Sequence, residues 1–243
     1  MGTSKTKVGR TDSNNPPSGT GTFKAAKTMA SKYFSGNIAS FATAMKAAVS
    51  AAGVDYFISN NFKKKSLAFA QLVSFIIEAT STGIKLQATK TGVNYTDDSK
   101  PKDVLYQYVN TIYPEAISDG DIFAREQLLH VADSFVSLFD EDGFFNATES
   151  ISEQLIINMI VNNLVDEILG DYLSISPRSI ENDKPDVVQG KMASAKEEIR
   201  NKLNTYKNAF MLDINDQDSI INYRENLKRS VVAEYYMEEE TNE

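Results

Sequence analysis

Residues 67–77, LAFAQLVSFII, decide how this chain is to be read. The run is about 11 residues long, roughly half of the ~20 needed to span a bilayer. It is entered through the basic stretch 61–65, NFKKK, and closed by Thr82-Gly83. An apolar run of this length, without strict alternation and ended by glycine, predicts a central buried helix from about Asn61 through Thr80.

Toward the N-terminus, FKAAKTMASKYF (23–34) sets Phe23, Ala26, Ala30, Tyr33 and Phe34 at three- and four-residue steps, which predicts a helix interrupted at Gly36-Asn37. Ile38 to Ala52 carries Phe41, Met45, Ala48 and Val49 on one stripe, with Gly53 placed as a C-terminal cap. The pair reads as an alanine-rich hairpin that either packs on the body or detaches with the segment before it.

Toward the C-terminus, residues 83–102 (GIKLQATKTGVNYTDDSKPK) are polar and glycine-containing, so a long loop is expected there, with a subdivision of the domain as an alternative. Asp103 to Tyr113 predicts a short aromatic helix ended by Pro114. Asp119 or Asp121 can cap the next helix, which runs through about Phe139 with Ile122, Leu128, Leu129, Val131, Ala132, Phe135 and Leu138 on its apolar stripe. Past a turn at 140–143, Ser150 and Glu153 read as a capping box before a helix from Gln154 to Leu173, with Leu155, Met159, Leu164, Val165 and Ile168 as core candidates.

A polar linker, 174–186, leads to a partly exposed helix from about Val187 to Met211, in which Glu197 and Asn201, and Glu198 and Lys202, stand four apart. A last helix, from about Asp218 to Tyr236, bears Ile220, Ile221, Leu227, Val231 and Tyr235. No strand pattern or long repeat competes with these readings. The expected fold is all-α: a multi-helix bundle of about seven to eight helices over 23–238, between a flexible basic arm (1–22) and an acidic tail (239–243).

Charge is distributed unevenly. Residues 1–65 hold ten Lys or Arg against Asp12 and Asp55, leaving 15 bases and 31 acids for the remainder, so a net charge of −8 divides into +8 and −16. Two readings stay open: the basic quarter lies on the acidic body or is a solvated face, or it meets an anionic partner while the tail meets a basic one. The N-terminus lacks the apolar region of a secretory signal, which makes a cytoplasmic address the expectation.

Chemistry-bearing patterns are sparse. The chain has no cysteine, which excludes disulfides, thiolate metal sites and a cysteine nucleophile. Its one histidine, His130, lacks a second ligand at helical spacing and is expected to be a buried or half-buried helix residue; a deep pocket containing several convergent acids, or Arg125 with His130, would reopen an enzymatic reading. Asp140–Gly143 and the Asp213, Asn215, Gln217 series depart from the calcium-loop pattern in the placement of glycine and of the final acid, so both read as turns or caps. Gly19-Thr20-Gly21 lacks the rest of a phosphate loop, and Lys63-Lys64-Lys65 reads as a solvated face rather than a nucleic-acid contact. A non-enzymatic protein, with no metal or cofactor, is therefore expected.

The arm, MGTSKTKVGRTDSNNPPSGTGT (1–22), carries one aliphatic residue past its start, Val8, too little apolar surface to offset the entropy of ordering. Removal of Met1 would leave Gly2 as an unhindered α-amine. Met1 to Thr6 also satisfies the N-myristoylation pattern, with Lys5, Lys7 and Arg10 as a second, electrostatic membrane signal.

MGTS, the polar Gly/Pro/Ser arm, and Phe23-Lys24-Ala25-Ala26-Lys27 leading into an alanine-rich hairpin resemble the QatB family of the bacterial four-gene Qat anti-phage defence system, over about residues 1–52. The resemblance implies a non-enzymatic partner of a P-loop ATPase, encoded beside a QueC-like enzyme and a TatD-like nuclease. QueC-like enzymes activate a carboxylate with ATP, and Gly2 would be the amine acceptor, with Thr3, Ser4 and Lys5 docking it. The alternatives are an N-terminally acylated peripheral membrane or adaptor protein, and a phage or mobile-element structural protein.

Overall fold

The computed structural model describes residues 23–37, 40–114, 119–146, 150–175 and 185–237. Among them the fold is all-α, as expected, with ten helical segments of which one is a single turn: α1 (Phe23–Phe34), α2 (Phe41–Ala52), α3 (Val54–Phe57), α4 (Asn60–Thr82), α5 (Ile84–Lys90), α6 (Pro101–Ile112), α7 (Asp119–Val136), α8 (Glu153–Ile175), α9 (Pro185–Tyr206) and α10 (Gln217–Met237). The arm 1–22, the acidic tail and the choice between Asp119 and Asp121 as a cap lie outside what is described. None of the described helices is long and apolar enough to cross a membrane.

Two compact units divide the chain. Unit 1 comprises residues 1–62, 164–210 and 225–243, and unit 2 comprises 63–163 and 211–224. Residues 83–102 fall wholly inside unit 2.

In unit 1, α1 buries Ala26, Ala30, Tyr33 and Phe34, the stripe read from its spacing. It packs on α2, whose buried face alternates Phe41, Met45 and Val49 with Ala44, Ala48, Ala51 and Ala52. The alanines leave room for the helix axes to approach. Gly53, at φ 82°, closes α2 by donating its N–H to the Val49 carbonyl at 2.7 Å. The hairpin is anchored to the rest of the unit, because the Tyr33 hydroxyl donates to the Lys191 carbonyl of α9 at 2.7 Å. α9 turns Val188, Ala195, Ile199 and Leu203 inward.

In unit 2, the apolar run of α4 buries Ala68, Phe69, Ala70, Leu72, Val73, Phe75 and Ile76. Leu67 is 43% exposed, because the 3.6-residue period puts it in line with exposed Lys63, Lys64 and Glu78. The expected long loop contains α5 instead. Gly83, at φ 83°, redirects the chain, and Ile84, Gln87 and Ala88 repeat at helical spacing and are buried. Seven residues among lysines and threonines carry too short a pattern to stand out against a polar background.

Other departures are local. The Ser152 hydroxyl, not Ser150, caps α8 by accepting the Leu155 N–H at 3.1 Å. Leu155 and Met159 are half-buried, while Ile156 and Ile160 take the core positions. Ile122 is exposed on the first part of α7. Asp216 caps α10, accepting the Asp218 and Ser219 N–H groups at 3.2 Å each.

The turn 140–143 is held by the Asp140 carboxylate, which accepts the N–H groups of Asp142 and Phe144 at 3.1 and 2.8 Å. It presses on α5: the Ile84 N–H donates to the Gly143 carbonyl at 2.9 Å, and a Cβ on Gly143 (φ 88°) would lie 2.7 Å from Ile84 Cγ2. Gly143→Ala should therefore cost about 2–4 kcal/mol in urea unfolding, combining left-handed strain with overpacking. Gly92→Ala, at φ 72° with open space around it, should cost about 1 kcal/mol. Equal costs at the two positions would remove the steric part of this account.

Candidate functional site

The residues expected to carry function, Gly2, Thr3, Ser4 and Lys5, lie outside the described residues. What the structure shows is the platform to which their segment is joined at Phe23. Between α1 and the rest of unit 1, five aromatic rings meet, edge to face except for tilted pairs such as that of Tyr33 and Phe41. Phe41 lies 5.5 Å from Tyr33, 5.0 Å from Tyr172 and 6.0 Å from Tyr235, and Tyr33 lies 5.2 Å from Phe34. Edge-to-face packing of this kind adds about 0.5–1.5 kcal/mol per pair beyond burial. It ties α1 and α2 to α8 and α10.

Cations decorate the polar ends of this cluster. Lys191 stands 5.0 Å over the Tyr33 ring, and Lys202 stands 4.7 Å over Tyr235 while pairing with Glu234 at 2.6 Å. Lys202 of α9 thus reaches across to α10.

Deeper in unit 1 lies an ionic layer. Lys228 is fully buried; its ammonium donates to Glu167 at 3.2 Å and Asp171 at 2.8 Å and sits 4.3 Å from the Phe62 ring centre. Beside it, Tyr56 and Ser174 share a hydroxyl hydrogen bond of 2.9 Å, and Arg229 pairs with Asp55 at 2.9 Å and Glu225 at 3.2 Å. A buried ammonium with two carboxylates and an aromatic face has its charge answered from several sides, which is the condition for tolerating it. Its role here is architectural, since Lys228 is neither exposed nor short of partners.

The sequence pattern did contain a signal for these groups. Arg224 and Lys228 fall within the apolar stripe Ile220, Leu227, Val231, and Glu167 falls between Leu164 and Ile168. Charged residues in the buried register of a helix mark internal partners.

In unit 2, Arg224 is likewise fully buried, donating to Asn163 at 2.8 Å and Ser66 at 3.2 Å with its guanidinium 4.5 Å from the Phe69 ring centre. His130 is exposed rather than buried or half-buried, because the 3.6-residue period that sends Leu128, Val131 and Ala132 inward turns it outward. Arg125 is half-buried and donates to Asn110. Among the Lys63–Lys65 group, Lys63 and Lys64 are exposed, and Lys64 lies over the Tyr113 ring at 4.8 Å. The Tyr106 hydroxyl donates to Asp133 at 2.7 Å; that bond and Lys102 hold the carboxyl below the usual aspartate range. No group of three or more His, Cys, Asp or Glu is disposed to hold a metal among the described residues. No protein-family model, curated protein or solved structure matches the chain.

Two measurements probe this architecture. Lys228→Met should destabilise the protein by about 3–5 kcal/mol at neutral pH, since it leaves the Glu167 carboxylate buried without this cation. The loss should shrink as pH falls: the stranded acid then has a raised folded-state pKa, and stability from such a group is present at low pH and lost as pH rises. A pH-independent loss in urea titrations would contradict this.

Burial pushes the phenols of Tyr33, Tyr108 and Tyr223 up to about 12, with nearby Glu198, Glu78 and Glu153 respectively adding to the shift. Their contribution to stability is complete below the ordinary phenol value near 10 and is lost as pH rises toward about 12. Ultraviolet titration should show these three ionising after the exposed tyrosines and together with alkaline unfolding.

Proposed function

We propose that this chain is a non-enzymatic helical subunit of a Qat-type anti-phage defence complex. Its arm is recognised or covalently modified at Gly2 by a QueC-like partner, with Thr3, Ser4 and Lys5 in the docking contact, and it binds a P-loop ATPase. The likeness of residues 1–52 to the QatB family supports this reading. The structural observation that carries it is the join at Phe23, where the arm meets a helix fastened by Tyr33 and Phe34 into a buried aromatic cluster. A tether on a fixed base keeps its end at high local concentration near one surface.

The chemistry is simple. With Met1 removed, the neutral fraction of the Gly2 amine, whose ordinary pKa is near 8, attacks a carbonyl that the partner has activated with ATP. An N–C bond forms, the activating group leaves with the electron pair of its C–O bond, and the amine proton passes to solvent.

Intact-mass analysis of the protein co-expressed with its genomic neighbours tests the proposal. A mass increment localised to Gly2, lost when the QueC-like gene is inactivated, is expected. An unmodified mature N-terminus that is dispensable for immunity would overturn it. A fatty-acyl increment with flotation on liposomes would assign the arm to membrane anchoring instead.

A further inference from the structure

Four lysines and no acid lie on α1 and α2. Three of them, Lys24, Lys27 and Lys32, are exposed on α1 and enter no ion pair among the described residues. They span eight residues of helix, about 12 Å at 1.5 Å per residue.

Residues 238–243, EEETNE, follow directly on α10, which ends at Met237. Tyr235, in the last turn of α10, is fully buried with its ring 6.0 Å from Phe41, and Phe41 is 5.5 Å from the ring of Tyr33, the neighbour of Lys32. Six extended residues reach roughly 20 Å. The acidic segment therefore starts from a helix end that shares a buried aromatic cluster with the inward face of α1, and it is longer than the ~12 Å that the three lysines span. The last acid before it, Glu234, is already engaged by Lys202 at 2.6 Å. Glu198, close enough to Tyr33 to raise its pKa, is the acid beside that end of α1.

We propose that the exposed lysine face of α1 is a docking surface for acidic peptide, occupied by residues 238–243 of the same chain. Charge complementarity, reach and the placement of the α10 terminus carry this inference, which does not depend on modification of Gly2. Each contact is a solvent-exposed ion pair, so the docking is weak, reversible and screened by salt, and a stronger anionic partner displaces the segment.

Zero-length carbodiimide cross-linking of the full chain, followed by peptide mass spectrometry of the monomer band, tests it. Cross-links from Glu238, Glu239, Glu240 or Glu243 to Lys24, Lys27 or Lys32 are expected at low ionic strength. Their yield should fall at least about threefold near 1 M salt, where the screening length is only about 3 Å. Inorganic polyphosphate should suppress them at low salt.

Binding of polyphosphate itself gives a second readout. Neutralising the segment (E238Q, E239Q, E240Q, E243Q) should raise affinity more than neutralising four exposed acids of unit 2 (D97N, D98N, E141Q, D142N). That excess should vanish in a K24Q, K27Q, K32Q background. Cross-links confined to the dimer band would assign the surface to a second copy and overturn the proposal. So would cross-links to other lysines, or an excess that survives the lysine substitutions.

Discussion

A lysine ammonium with no exposure to solvent is stable only where the fold brings its counter-charges to it, and Lys228 imposes that condition on unit 1. Glu167 and Asp171 stand one turn apart on α8, so both carboxylates reach one ammonium from the same side. The Phe62 ring at the start of α4 supplies its negative face to the same cation. Sliding α10 by one residue along α8 would rotate the buried ammonium away from both acids, of which Glu167 is itself buried. The apolar contacts of these helices tolerate small shifts, whereas the ionic layer fixes their register.

The aromatic cluster around Phe41 depends on that register. Tyr172 lies one residue beyond Asp171, and Tyr235 two turns beyond Lys228, so setting the ionic layer also sets where the two rings meet Phe41. Through Phe41 and Tyr33 the constraint reaches α1, a helix with an inward face of alanine and aromatic residues and an outward face of lysine. The base of the arm, the basic surface beside it and the end of α10 are thus held together by one chain of packing.

The uneven charge of the chain takes on a local meaning in this setting. Of the ten bases in residues 1–65, Lys64 lies against an aromatic ring, while Lys24, Lys27 and Lys32 face outward on α1. On α9 and α10, Lys202 is drawn to Glu234, and Arg229 to Asp55 and Glu225. A net count of +8 against −16 describes none of these choices.

The all-α class, the stripes of α1 and α2, the central run of α4 and the closing role of Gly53 were legible in the chain, because each rests on steps of three and four residues or on glycine's access to positive φ. Such local periodicities are independent of the partner a helix meets. Tertiary structure alone decided that α5 would form within a polar stretch and that Ser152 would cap α8. It also decided which partners would meet Arg224 and Lys228, whose place in the apolar register of α10 the sequence already marked. Whether a charge can be buried is a property of what other segments bring within about 3 Å of it, and that distance is set by folding of residues far apart in the sequence.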